Sequence, residues 1–477
     1  MQLSELFTGQ PDVEIKGICI DSRKAREGDL FFCLKGLEND GHVFAEQACR
    51  GRAVAVVHSD PIERRDGVVY IQAEDTVCEL NRVCDLFYGQ PSRKLKMFGI
   101  TGTNGKTTTA SIISDVFSAR MPCGYIGTIA VRFGTESRAS NLTTPDAQEL
   151  HSTLREMADA GMVAVAMEVS SHGLAMRRVD TVDFDVTVFT NLTYDHLDYH
   201  KTMERYFEAK KRLFKNLKSS GTAVLNADDV SFEGLRECLH CGYVTYGVNA
   251  DADYRAENIR LSPDCTAFTL VHGGKRYAVE SNLVALYNVY NLLGAAAAMH
   301  RMGMPLDEML PFFSRLTPVD GRMESIARGQ DFRVIVDYAH TPDGFEKVFQ
   351  YAREIAKGGR IYAVFGCAGK RDRVKRGVLG KIADKYCDRI YVTEEDPRSE
   401  DAADIARAIL SGIGEGKGMF VKERYAAIEA AINRAQTGDI VLILGKGNEN
   451  YMCYAHGKEP WMGDHRAAER ALENRRA

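Results

Sequence analysis

The sequence has no excess of positive charge, no long apolar run and no framed set of cysteines, and each shortage removes a class of protein. Lysines and arginines number 61 against 66 aspartates and glutamates, a formal net charge of −5. No basic field is therefore available to attract nucleic acid. The opening Met1-Gln2-Leu3-Ser4-Glu5 has neither a basic n-region nor an apolar h-region, so secretion is not expected. No stretch approaches the ~20 apolar residues that cross a bilayer; DIVLILG at 439–445 is short and reads as a buried strand, and no membrane partner is expected. The 12 cysteines are scattered. Cys238 and Cys241, in a CLHC spacing, resemble half a metal site, but no second CxxC completes it. Reduced thiols in a cytoplasmic protein are the expectation. Internal repeats at solenoid periods and low-complexity segments are also missing.

What is present is an ordinary globular composition, 45% hydrophobic and 27% charged, over 477 residues. At about 150 residues per domain, that length predicts three domains. Two polar, proline-containing seams at 88–96 (YGQPSRKLK) and 316–324 (LTPVDGRME) divide the chain into 1–90, 91–320 and 321–477. In the middle segment an apolar run at 97–101 meets a glycine-rich turn, and a helix opens near Thr107. Residues 163–169 and 184–190 read as buried strands, and the alternation across 251–280 with Gly273-Gly274 predicts hairpins. In the last segment, strand-like runs at 332–337, 361–366, 389–393, 419–422 and 439–444 alternate with helical patterns such as 345–356 and 402–413. That alternation predicts an α/β fold with a mostly parallel, doubly wound sheet, whose ligands sit at the carboxyl ends of the strands.

The strongest chemical signal is GITGTNGKTT at 99–108. A strand that runs into glycines and then a helix lets backbone N–H groups approach phosphate. Gly102, Thr103, Asn104 and Gly105 form the turn; Lys106 is placed to reach the β- and γ-phosphates, and the hydroxyl of Thr107, followed by Thr108, to ligate Mg²⁺. The spacing departs from the common GxxxxGK[ST], because Ile100 stands where the first glycine belongs.

This GTNGKT variant resembles the ATP loop of the Mur ligases and of their folylpolyglutamate synthetase relatives. Further blocks follow in the same order: DSR at 21–23, TTP at 143–145, EVSSHG at 168–173, TNLTYDHLDYH at 190–200, YNVYN at 287–291, GRME at 321–324, DYAHTPD at 337–343 and GKGNE at 445–449. The resemblance spans essentially the whole chain and is closest to the members that add the third amino acid to UDP-N-acetylmuramoyl-L-Ala-D-Glu. It implies a three-domain architecture: an N-terminal domain for the UDP precursor, a central P-loop domain for ATP, and a Rossmann-like C-terminal domain for the amino acid. It also implies ATP and two Mg²⁺ ions as cofactors, cytoplasmic peptidoglycan precursor synthesis, and a monomer. By the same likeness Thr107, Glu168, His196 and a carbamylated Lys210 hold the metal ions. Lys106, Lys210 and Arg322 serve catalysis, Asn288 lies near the adenine and Asp337 on the ribose, with His340 close by. Ser22, Thr143, Thr144, Ser170 and Arg178 contact the precursor. Read on composition alone, Lys210 belongs to a solvated lysine-rich helix face with Lys201, Lys211, Lys215 and Lys218. Met176 stands where the family offers glutamine, which predicts a hydrogen bond lost or replaced by one to water.

The amino-acid pocket is implied at Arg371, Glu395, Asp396, Pro397, Arg398, Gly445 and Glu449. A guanidinium grips a carboxylate with two bonds, and diaminopimelate has a distal carboxylate that lysine lacks. The family's diaminopimelate motif is Asp-Asn-Pro-Arg, whereas this chain reads Glu395-Asp396-Pro397-Arg398. The added charge of Asp396 favours a distal ammonium, which both diamino acids possess, and Asn448 replaces the usual histidine. Meso-diaminopimelate is the expectation, with L-lysine or another diamino acid as the alternative. A P-loop ATPase or kinase without amide formation, or a non-catalytic ATP-binding scaffold, is more remote.

Overall fold

A computed structural model describes residues 1–36 and 39–476. It contains three separate main sheets in three successive segments of the chain. The first is a four-stranded parallel sheet of Gly17–Cys19, Asp29–Phe32, Ala55–His58 and Val69–Gln72, in sequence order. Leu30, Phe32 and Val57 pack on one side against Leu80, Val83 and Cys84 of helix Thr76–Phe87. Phe31 and Val56 pack on the other, near helix Ala45–Arg50. Burial on both faces is why these strands read as continuous apolar runs and not as alternation.

The central sheet has eleven strands. From Tyr254–Leu261 across to Cys123–Ile126 every neighbouring pair is parallel. Beyond these, the hairpins Thr266–His272 with Lys275–Ser281 and Val131–Phe133 with Glu136–Arg138 extend the two edges antiparallel. The turn at Gly273-Gly274 has positive φ at both glycines, as the hairpin expectation required. Strand Lys96–Thr101 sits between Val186–Phe189 and Ala164–Glu168, which continue to opposite sides. Its carboxyl end is thus a place where side chains from both neighbours converge. Helices Lys106–Phe117 and Leu286–Arg301 cover one face through Ile113, Val116, Leu292 and Ala296. Ala147–Asp159 and Met203–Lys215 cover the other through Leu150, Leu154, Leu213 and Phe214.

The third sheet runs Glu324–Ser325, Arg333–Asp337, Ile440–Leu444, Ile361–Phe365, Arg389–Val392 and Gly418–Phe420, parallel except for the first strand. Helices Pro342–Ala356, Val374–Tyr386 and Ala402–Leu410 pack on one face, Arg424–Arg434 and Asp464–Arg476 on the other. This is the doubly wound arrangement. The first helix begins at Pro342, three residues before the apolar pattern, because Pro342 pre-sets the helical φ and the Thr341 hydroxyl accepts from Gly344 N at 3.1 Å. Helix Ala402–Leu410 ends before the expected 413, and the strand expected at 419–422 lies at Gly418–Phe420. A buried ion pair, Arg424 to Asp464 at 2.6 Å, ties the last two helices together, and Arg424 also donates to Leu444 O of the sheet at 3.0 Å. The hairpin Tyr451–Tyr454 with Gly457–Pro460 projects from the carboxyl side. Among the described residues no helix is long and apolar enough to cross a membrane.

Candidate active site

The glycine-rich loop leaves Lys96–Thr101 and enters helix Lys106–Phe117 with Gly105 as N-cap at φ +86. A Cβ on Gly105 would lie 2.4 Å from Asn291 Oδ1, so both its conformation and its neighbour demand glycine. The loop is held from the adjacent strand end. Asn191 Oδ1 accepts from Asn104 N at 3.0 Å, Asn104 O accepts from the Thr190 hydroxyl at 2.6 Å, and Thr103 Oγ1 lies 3.1 Å from Tyr206 Oη. Lys106 folds back over the turn, donating to Gly102 O at 3.0 Å and Thr103 O at 2.9 Å. Those carbonyls hold the ammonium in place until a better anion arrives.

Glu168, at the end of Ala164–Glu168, is fully buried. Its oxygens accept from Tyr125 Oη at 2.6 Å, Thr128 N at 2.8 Å and Thr107 Oγ1 at 2.9 Å. Every one of these donors is neutral, and among the described residues no cationic side chain pairs with this carboxylate. A buried carboxylate beside a P-loop threonine, with no counter-cation of its own, fits a metal ion. His196 lies 3.2 Å from Asp195 Oδ2, yet burial outweighs that carboxylate and pushes the imidazole down to about 3. Neutral imidazole is the form that ligates metal. Lys210 is 1% exposed, whereas Lys201 and Lys215 on the same stretch are exposed. The solvated-face reading of Lys210 therefore fails: the helix turns this one lysine inward. Its Nζ donates to Gly102 O at 2.7 Å and lies 4.5 Å over the Tyr206 ring. Burial, then the nearby Lys106, hold its amine well below the ordinary lysine range.

Thr144 and Ser170 form a rigid corner here: Thr144 Oγ1 donates to Glu168 O at 3.0 Å and accepts from Ser170 N at 2.9 Å. Thr143 Oγ1 is 3.0 Å from Thr128 Oγ1. Arg178 pairs with Asp146 at 2.7 Å and donates to Thr144 O at 2.9 Å. Its other Nη reaches Met176 Sδ at 3.3 Å, so the position that departs from glutamine keeps a weak acceptor. Ser22 is not brought to this group; it is buried in the first domain, its hydroxyl on Gln47 Oε1 at 2.9 Å.

The third domain closes the other side. Arg322 lies 4.4 Å over the Tyr338 ring and faces the cavity with Asn288, whose amide donates to Val284 O at 2.7 Å. Asp337 accepts from Met323 N at 2.8 Å and Ala339 N at 2.7 Å, and burial pushes its carboxyl up. Several side-chain contacts join the middle and third domains across the seam, Arg333 to Asp264 at 3.0 Å and Tyr351 Oη to Ser262 O at 3.0 Å among them. Asn104 Nδ2 donates to Asp343 at 3.1 Å, Tyr194 Oη to Asp372 at 2.6 Å, and Arg371 to Asp198 at 3.2 Å. The result is a single cavity of about 940 Å³ whose wall includes Lys106, Thr107, Thr108, Glu168, Arg178, His196, Arg322 and Arg371.

The expected amino-acid pocket is split. Arg371 faces this large cavity, while Arg398 lines a smaller one of about 360 Å³ and donates to Gly369 O at 2.7 Å. Asp396 Oδ1 pairs with the buried Lys446 at 2.9 Å and accepts from Cys453 N at 2.9 Å. Glu449 also pairs with Lys446, at 2.6 Å. Glu395 is buried with its carboxyl pushed up, and Gly445 lies so close that a Cβ there would be 2.0 Å from Glu395 Oε2. Pro397 O packs as closely on Gly369. Tyr125, Thr128, Asp195 and Lys446 carry supporting bonds that sequence reasoning misses; the only signals are the apolar neighbours of Tyr125 in its strand and the apolar strand Ile440–Leu444 just before Lys446.

Three family models match in chain order: the Mur ligase family catalytic domain over residues 14–83, the Mur ligase middle domain over 100–299, and the Mur ligase glutamate ligase domain over 321–447. The chain is 43% identical to the UDP-N-acetylmuramoyl-L-alanyl-D-glutamate–2,6-diaminopimelate ligase of Geobacillus thermodenitrificans, over 98% of this chain and 96% of the relative.

The chain belongs to the Mur ligase family.

It is an ATP-dependent ligase. Its counterpart in Geobacter sulfurreducens, of the same printed name, is 42% identical over 92% of this chain and 91% of its own length. A solved UDP-N-acetylmuramoyl-L-alanyl-D-glutamate–2,6-diaminopimelate ligase superposes with a TM-score of 0.70 at 30% identity, covering 100% of this Mur ligase and 99% of that chain. The MurF ligase of Thermotoga maritima in complex with ADP shares the fold, with a TM-score of 0.69 at 20% identity over 98% and 100% of the two chains.

Proposed function

We propose that this Mur ligase joins meso-diaminopimelate to the γ-carboxylate of UDP-N-acetylmuramoyl-L-Ala-D-Glu in the cytoplasm, at the expense of ATP. The observation that carries the reading is the single cavity in which the phosphate loop, the uncompensated Glu168 and the cations Arg178, Arg322 and Arg371 face one another. Two anions, a nucleoside triphosphate and a carboxylate, must meet there, and their repulsion is what the cationic wall offsets.

The γ-phosphoryl group passes to the glutamyl carboxylate, giving an acyl phosphate and ADP. The amine of the incoming amino acid then attacks the acyl carbon, and the tetrahedral adduct loses phosphate to leave an amide. Gly102 to Thr108 cradle the phosphates, Lys106 turns from its own carbonyls to the transferring group, and Arg322 supports the developing charge from the third domain. Asn288 and Asp337 orient the nucleoside. Thr143, Thr144, Ser170 and Arg178 hold the dipeptide end of the precursor, and Ser22 its uridine end. Thr107, Glu168, His196 and Lys210 as its carbamate would hold two Mg²⁺ ions, which supply charge neutralisation between the two anions. Burial favours the unprotonated Lys210 amine, the form that adds CO₂. Arg398 receives the distal carboxylate, and Glu449 faces the amino-acid end with Glu395, Asp396, Pro397 and Gly445 shaping the loop.

The test is product formation. ADP and phosphate should appear only when precursor and diamino acid are both present, with an amide product detected by mass spectrometry. Turnover of ATP without the precursor would overturn the ligase assignment, and equal use of L-lysine would overturn the choice of amino acid.

A further inference from the structure

The cavity beside Arg398 is walled by three cations delivered from three segments. Arg398 follows strand Arg389–Val392, Lys370 lies in the loop 366–372, and Lys458 in the hairpin strand Gly457–Pro460. Among the described residues no carboxylate lines this space. The acids around it are committed elsewhere: Glu400 to Arg373 and Arg376, Asp396 and Glu449 to Lys446, Glu394 to the Tyr454 hydroxyl, and Glu459 to His456. Three like charges around about 360 Å³ give the space a positive potential that favours an incoming anion.

Two of the three, Arg398 and Lys458, are also tied to one hairpin. Arg398 holds φ +54, which a non-glycine residue adopts only when its surroundings enforce it. Here they do: Arg398 N donates to Cys453 O at 2.9 Å, and Cys453 N donates to Asp396 at 2.9 Å. The arginine loop is thereby bonded to the very hairpin that carries Lys458. Lys458 Nζ rests 3.8 Å over the Tyr451 ring, whose hydroxyl is anchored on Glu449 at 3.2 Å. The loop 366–372 turns Arg371 into the large cavity and Lys370 into the small one, so the reacting end and the far end of a substrate are served from two sides of one loop.

We propose that Lys458 and Lys370 are specificity-determining residues that complete, with Arg398, the site for the distal carboxylate of the incoming diamino acid. The inference rests on the ligase reading above. It assigns the preference for a dicarboxylic diamino acid to three cations and not to the arginine alone, and it leaves Asp396 as a positioning residue neutralised by Lys446.

The experiment compares kcat and KM for meso-diaminopimelate and L-lysine in wild type, Lys458→Gln, Lys370→Gln, Lys458→Arg and Lys458→Glu, with ATP and precursor saturating. Lysine lacks the distal carboxylate and is the internal control. Lys458→Gln should raise the KM for diaminopimelate on the order of tenfold, or ~1.4 kcal/mol, with kcat and the KM for lysine unchanged. Lys370→Gln should act in the same direction, Lys458→Arg should restore most of the loss, and Lys458→Glu should move preference toward lysine. Both lysines are exposed, so folding is not at stake. Equal shifts for both amino acids, or none, would overturn the inference alone. A wild-type protein that forms no amide with either amino acid would overturn the ligase reading, and this site with it.

Discussion

Replacing Lys210 by methionine should make the protein more stable and inactive at the same time. The side chain is enclosed, with one hydrogen bond from Nζ to Gly102 O and the Tyr206 ring beneath it. Burial first, and Lys106 second, push its amine well below the ordinary 10.5. In the unfolded chain the amine keeps its proton up to the ordinary lysine range; in the folded chain burial weakens its hold on that proton. The unfolded state therefore binds more protons, and stability rises as pH climbs from the folded value toward 10.5. Methionine has similar length and no charge to desolvate. Exchanges of buried charge for packed apolar groups typically stabilise by about 1–4 kcal/mol, from which the lost bond to Gly102 removes ~1 kcal/mol, leaving a gain of roughly 0–3 kcal/mol. The assay is urea unfolding of the central-domain transition in CO₂-depleted buffer at pH 7 and pH 9.5, where the advantage of the variant should shrink at the higher pH. Bicarbonate should then stabilise wild type, because CO₂ adds to the neutral amine with release of a proton, and leave the methionine variant unmoved. Amide formation should fall on the order of 100-fold with the loss of the metal ligand proposed at this position. A variant less stable than wild type at pH 7, or one that turns over normally, would refute the reasoning.

Glu168→Gln keeps the shape but turns an amide NH₂ toward hydroxyl or N–H donors, and it removes the charge a cation needs; the Mg²⁺ concentration for half-maximal activity should rise by roughly 10–100-fold, read from a magnesium titration. Asp396→Asn should destabilise the third domain by about 1–3 kcal/mol, since Lys446 keeps only Glu449, while the ratio of kcat/KM for diaminopimelate over lysine stays within about twofold; a tenfold change in that ratio would show that Asp396 meets the substrate. Arg424→Met strands a buried Asp464 and should cost about 3–5 kcal/mol in denaturant unfolding, much of it recovered in the double variant with Asp464→Leu.

The parts that sequence made legible are those where local chemistry is unambiguous. The strand, glycines and lysine of 99–108 can hardly do anything but bind phosphate, and the regular alternation after 321 sufficed for a doubly wound sheet. Lys210 was legible only through likeness to relatives, because a lysine among lysines on a helix gives no sign of which one faces inward. That depends on the tertiary position of helix Met203–Lys215 against the loop. The pairing of Asp396 with Lys446 was out of reach for a similar reason: the two are fifty residues apart and meet only when the strands they follow lie in one sheet. Read singly, Asp396 looked like a free charge for substrate. The separation of Arg371 from Arg398 was hidden as well, since both follow strands of one sheet and only the course of the loop 366–372 sends them apart.

One of the bonds across the seam has a thermodynamic meaning of its own. The amide of Asn104 belongs to the nucleotide loop, yet it bonds to Asp343 in the first turn of a third-domain helix. A loop that changes shape around a phosphate must keep or release that partner, so nucleotide affinity and the pose of the third domain share one free energy. Linkage then works in both directions. Whatever fixes the pose, a bound amino acid included, alters how tightly ATP or ADP is held, and by the same factor the nucleotide alters how tightly the amino acid is held.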